Sequence, residues 1–206
     1  MLGMRAIAVF HRPGTSEGVE LVQKHVEKLV KLAGIQTTFI FIDDFLGFNV
    51  EQGTLVLAYI VTRGGHFYEI ARKCGSEGLW LTAKIPLSLV ASTVAAAARD
   101  CSRVELVYTP ARKLREVQMK DVDYLVRAVS ELTGAEVEAI PSIDSGRPDA
   151  CLAFLSVSPS RRLREAEARG LNVVYRSVLL EAEDRLLGYM ASALRKASAM
   201  RAIHRL

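Results

Sequence analysis

The sequence predicts an α/β protein of two similar domains, each with a mainly parallel four-stranded sheet and helices on both faces. Three observations carry this. Short apolar runs alternate with helix-like segments along the whole chain, the pattern of strands joined by helical crossovers. The order β-α-β-β-α-β-α occurs twice. The two copies share an anchor, Leu57-Ala58-Tyr59-Ile60 against Leu152-Ala153-Phe154-Leu155. The boundary then falls near Cys101-Ser102, giving an N-terminal domain of 1–101 and a C-terminal repeat of 102–206. On the anchor register His66 aligns with Arg161, and aligning the first strands sets Thr109 opposite His11.

Met4–Phe10 is a short apolar run, read as the first strand, and it ends at His11-Arg12-Pro13-Gly14-Thr15. Ser16 with Glu17 marks a helix start. Val19, Val22, Val26, Leu29 and Ala33 then recur at helical spacing until Gly34 stops the helix. His25 lies beside that stripe and reads as a boundary or core residue. Ile35–Ile42 is the second strand. Asp43-Asp44 at its end suits a cap or turn, and Phe45–Gly53 reads as an irregular connector. Leu55–Val61 is apolar throughout and rich in β-branched and aromatic residues, as in a strand buried on both faces. It stops at Thr62-Arg63-Gly64-Gly65, and a helix begins at His66. Leu79–Ile85 is the fourth strand, broken by Pro86, and Leu89–Arg99 is an Ala-rich helix. The second copy reads as strand Val104–Tyr108, helix Leu114–Leu132 closed by Gly134, strand Ala135–Ile140, connector Pro141–Pro148, strand Ala150–Val157, a helix from Ser158-Pro159-Ser160 to Gly170, strand Leu171–Arg176 and helix Leu180–Ala197.

The 206 residues are 50% hydrophobic and 24% charged, enough to bury a sizeable core. The net charge of +4 is spread along the chain apart from Arg161-Arg162, Arg164 and the C-terminal tail, and accompanies no nucleic-acid motif, so it reads as a solvated surface rather than a nucleic-acid face, with an anionic small molecule as an open option. No segment is apolar for long enough to span a membrane, and the start runs into a strand-like segment without a signal-peptide pattern. Three cysteines, Cys74, Cys101 and Cys151, with no CxxC, predict reduced, buried thiols in a cytoplasmic protein.

His11 and His66 share one context: each follows a buried strand and precedes a helix, with glycine nearby. In the flavodoxin-like order 2-1-3-4, strands one and three are neighbours at the switch point, where open α/β sheets bind ligands. The two histidines are therefore expected side by side. Neutral imidazole is both a transition-metal ligand and a base near neutral pH.

These motifs resemble the class II chelatases, the family of sirohydrochlorin cobaltochelatases and ferrochelatases, in its long, two-domain form. Val9-Phe10-His11-Arg12-Pro13-Gly14 stands where that family has a strand ending in a His-Gly-Ser type motif. Arg63-Gly64-Gly65-His66 followed by Glu69-Ile70 stands where it has a Gly-rich loop, a second histidine, an acid and an isoleucine. Arg12-Pro13 replaces the small residues of the first motif, and neither matching position of the second half is a histidine. The resemblance implies insertion of a divalent metal (cobalt, nickel or iron) into an anionic sirohydrochlorin-type tetrapyrrole, with no organic cofactor and with room for a homo-oligomer. His11 and His66 would be metal ligands and base, and Glu69 would orient His66 or accept a proton. Arg12, Arg63, Gly64 and Gly65 would face the substrate, the arginines pairing with its carboxylates. Two competing readings stand beside it. One is a non-catalytic tetrapyrrole- or metal-binding protein of the same fold, which Arg12-Pro13 favours. The other is a flavodoxin-like domain that binds a phosphorylated molecule, though neither GxGxxG nor GxxxxGK[ST] is present.

Overall fold

The computed structural model describes residues 5–203. Met4, read as the start of the first strand, and His204 lie outside the described residues. The strands are β1 (Arg5–Phe10), β2 (Gln36–Phe41), β3 (Leu55–Tyr59), β4 (Trp80–Lys84), β5 (Arg103–Val107), β6 (Glu136–Ile140), β7 (Cys151–Phe154) and β8 (Val173–Tyr175). They form two four-stranded sheets of order β2-β1-β3-β4 and β6-β5-β7-β8, with every pairing parallel. This is the expected duplicated architecture, with the expected strand order in both copies.

The helices are α1 (Ser16–Ala33), α2 (Ile42–Gly47), α3 (Gly65–Ser76), α4 (Leu87–Ala97), α5 (Arg115–Thr133), α6 (Arg161–Ala168), α7 (Val178–Glu181) and α8 (Glu183–Ile203). Helix α1 shows why the local sequence folds as it does. Thr15 accepts a hydrogen bond from the Gly18 N–H and so caps the N-terminus. Val22, Val26, Leu29 and Ala33 bury one face, and Gly34 closes the helix at φ 69°, where a side chain would be strained. Two sequence expectations need correction. The connector after β2 opens with α2 instead of running irregularly. Ile42 and Phe45 fall on one buried face, and Asp43 and Asp44 sit in the first turn, where carboxylates favour a helix. The final helix starts earlier than expected, as α7, and breaks at Ala182, whose φ of −136° and ψ of 17° leave the helical region before α8 begins.

One face of the first sheet, through Val9, Val56 and Ala58, packs on α2 and α3. One face of the second, through Val107, Leu152 and Phe154, packs on α6. The remaining faces share a single core that takes in Phe10, Leu57 and Tyr59 from one sheet and Leu106, Ala153 and Tyr175 from the other. Its helices are exchanged. Helix α8 lies along α1 and against β3 and β4 of the first half, whereas α4 lies along α5 and against β8 of the second.

The cysteines also differ from expectation. Cys101 and Cys151 form a disulfide bridging the N-terminal ends of β5 and β7, and only Cys74 is a free, buried thiol. The odd count and absent CxxC carried no information about this pair. Cys101 and Cys151 are 50 residues apart in sequence, and the pairing of β7 beside β5 brings them together.

Candidate functional site

Strands β1 and β3 are neighbours, and their last residues, Phe10 and Tyr59, are register partners. The two rings stack, with centroids 4.1 Å apart. The Tyr59 hydroxyl is anchored in turn at 2.9 Å from Nε2 of the fully buried His25. On this floor the β1–α1 and β3–α3 loops leave the sheet side by side. They bring His11 and His66 together, with ring centroids 4.8 Å apart and ring planes perpendicular.

His66 is the second residue of α3, with its side chain half exposed. Its Nδ1 lies 3.4 Å from Oε2 of Glu69, one turn on, and the other Glu69 oxygen lies 3.7 Å from Nζ of Lys113 in the second half. Glu69 thus stands between an imidazole and an ammonium. His11 remains accessible to solvent, but its seat against the cavity wall strips away part of its water. That desolvation lowers its pKa below the ordinary imidazole value; positive charge on His66 lowers it further, and the Asp43 carboxylate opposes both. Asp43, expected in a cap or turn, stands in the first turn of α2 and also acts on the site electrostatically.

A cavity of about 750 Å³ opens over the two rings, between the halves. The first half contributes residues 11–14, 60–62 and 64–67 with Asp43 and Glu69. The second contributes residues 108–113 and 155–160, including Thr109, the counterpart of His11. Gly64 and Gly65 line it, and both sit tight against the second half: a Cβ on Gly64 would lie 3.0 Å from Cβ of Ala111, and one on Gly65 3.2 Å from Cβ of Lys113. These glycines permit the close approach of two backbones.

The two arginines behave differently. Arg12 lines the cavity while its guanidinium is held by Asp44 at 2.7 Å and lies over the Phe41 ring, 4.4 Å from the centroid. Arg63 turns away from the residues that line the cavity and forks onto Asp121, with Nη2 2.6 Å and Nε 3.0 Å from Oδ1. The structure thus unites His11, His66, Glu69, Arg12, Gly64 and Gly65 at one cavity and directs the Arg63 side chain elsewhere. Two basic residues that the sequence reading passed over, Arg112 and Lys113, also line it. Their signal was available, because the register placing Thr109 opposite His11 makes 109–113 the second half's counterpart of the first histidine loop. Among the described residues, no group of three or more His, Cys, Asp or Glu side chains is arranged to hold a metal ion. None of the described helices is long and apolar enough to cross a membrane.

No protein-family model and no curated protein sequence matches the chain. A solved structure does: that of CbiX, described as the terminal enzyme for the biosynthesis of siroheme in denitrifying bacteria. It aligns at 11% identity with a TM-score of 0.63, over 94% of this chain and 99% of that one. Two parallel four-stranded sheets in one duplicated α/β chain are therefore the fold this protein shares with CbiX.

Proposed function

We propose that the chain inserts a divalent metal, cobalt, nickel or iron, into a sirohydrochlorin-type tetrapyrrole held in the cavity between the halves. The observation that carries this reading is the meeting of His11 and His66, two imidazoles with centroids 4.8 Å apart in the wall of a cavity of about 750 Å³. Imidazole suits all three metals, so the pair does not select among them. Two protein ligands leave positions open for the nitrogens of an incoming macrocycle, as a closed structural site would not.

Insertion releases two pyrrole protons as the ring nitrogens take the ion. Each must pass to a base: a neutral imidazole takes one near neutral pH once the ion has left it for the ring, and solvent water takes the other. His11, with its lowered pKa, stays neutral and keeps a lone pair for the ion. Glu69 beside Nδ1 of His66 orients that ring and accepts a proton relayed through it. Arg112 and Lys113 on the opposite wall, with Arg12 at the rim, give a carboxylate-rich substrate its cationic partners. The fold shared with a siroheme-pathway enzyme agrees with this reading. A single-turnover assay with cobalt and sirohydrochlorin tests it: a stoichiometric change to the metallated spectrum is expected. Tight binding of the tetrapyrrole without metallation would instead support the non-catalytic binding protein.

A further inference from the structure

Although it carries neither histidine, the second half holds the loop from which His66 projects. Helix α5 sends two buried polar side chains across to that loop. Asp121, only 1% exposed, accepts the Arg63 backbone N–H at 2.6 Å through Oδ2 and the Arg63 guanidinium through both oxygens. Gln118 uses both ends of its amide. Its Nε2 donates to the Thr62 hydroxyl at 3.2 Å and to the Thr109 carbonyl at 2.9 Å, and its Oε1 accepts the Ala111 N–H at 2.6 Å. One side chain thereby joins the β3–α3 loop of the first half to the β5–α5 loop of the second.

The first half does the equivalent job differently. With Gly34 and Gly134 closing α1 and α5, position 118 corresponds to Gly18. There the β1–α1 loop rests directly on the helix, and a Cβ on Gly18 would lie 2.6 Å from Cβ of Pro13. The His11 loop is thus seated by contact within its own half, and the His66 loop by hydrogen bonds from the other. Buried, multiply bonded side chains fix geometry well, because any displacement strands a polar group away from water.

We propose that Gln118 and Asp121 are positioning residues that set the His66 ring against His11. This deepens the metal-insertion reading and rests on it for catalytic meaning, but the placement itself is testable without activity. At 4.8 Å between centroids, the two rings bring their protons close enough for a nuclear Overhauser contact. The experiment measures that contact in the free protein, and Co²⁺ affinity by titration, in Gln118→Leu and Asp121→Asn. The His25 ring signals report whether the fold is kept. Should Asp121→Asn fail to fold, Arg63→Met/Asp121→Leu removes the pair as a unit. The expected result is a folded protein in which the ring-to-ring contact is lost and the Co²⁺ dissociation constant rises at least about tenfold, the weakening a displaced ligand gives. An undiminished ring contact in the folded variants overturns the proposal. Loss of the contact with unchanged Co²⁺ affinity upholds the positioning role and overturns the metal-site reading instead.

Discussion

The His11 and His66 rings meet edge to face, 4.8 Å between centroids, although they stand 55 positions apart in the chain. Adjacent parallel strands with stacked terminal aromatic residues, Phe10 and Tyr59, bring this about. Charge on the His66 ring disfavours charge on His11, so the arrangement favours the neutral His11 that a metal requires.

Removing either ring tests the site directly. His11→Ala and His66→Ala are each expected to lower metal insertion by at least about 100-fold, the lower end for loss of a positioned acid–base group. Both residues are exposed, so the thermal midpoint should stay close to that of the parent. Full metallation by His66→Ala would sink the proposed chemistry.

The acid limb of the pH profile reports on His11. Desolvation and charge on His66 lower its pKa, so the loss of activity caused by His11 protonation should lie below the free-imidazole value of about 6.5. Asp43 raises that pKa, so Asp43→Asn should move the acid limb to lower pH. A limb unmoved in this variant would show that another group controls it.

His25 sets a stability limit distinct from the site. It is buried between the Tyr59 hydroxyl and Glu183 of α8. Its pKa is lowered to about 4, chiefly by burial, with Glu183 pulling the other way. A depressed histidine pKa means that the unfolded chain takes up the proton first. Stability is therefore full above about 6.5 and is lost as pH falls from there toward about 4. Denaturant titrations across that window should show the decline, and it should be smaller in His25→Gln. His25→Ala should cost about 2–4 kcal/mol through the cavity and the orphaned hydroxyl.

The disulfide offers a second handle on stability. A 50-residue separation gives roughly 4 kcal/mol in the chain-entropy model of a cross-link. Reductant, or Cys101→Ser with Cys151→Ser, should lower the thermal midpoint by several degrees. Insertion activity at moderate temperature should survive, because the bridge sits at the end of the sheet opposite the cavity. Equal midpoints with and without reductant would mean that the bond does not form in solution.

The basic residues should separate into two groups. Arg112→Ala with Lys113→Ala should weaken tetrapyrrole binding and flatten its salt dependence, each exposed charge contributing about 0.2–1 kcal/mol. Arg63→Ala should instead destabilise the fold, by about 1–3 kcal/mol, because it strips the buried Asp121 carboxylate of its guanidinium partner. Comparing affinity at two ionic strengths with the melting temperature distinguishes the groups.

The sequence made some of this legible and hid the rest for physical reasons. Parallel order follows from strand–helix alternation, and the placing of His11 and His66 follows from loops that leave neighbouring strands. Arg63, by contrast, reads locally as a loop cation, and nothing near it in sequence names Asp121 as its partner. Gln118 likewise sits on α5 as one polar residue among many, and only the tertiary fold reveals that both ends of its amide are used. The stripe on α1 says which face is buried, but it is silent on α8 as the element that covers it. The three cysteines show no spacing from which a pair could be chosen.

The exchange of α4 and α8 bears on how the chain acquires its structure. On a ribosome the first sheet and α1 emerge well before α8, which completes the cover of the Phe10–Leu57–Tyr59 face, so a nascent first half displays an oily surface of the kind that chaperones bind. Its closure depends on contacts between segments far apart in sequence, which slow folding. Separated fragments would each present a vacant groove that the other's helix fills. Unfolding should accordingly be a single cooperative event across both halves.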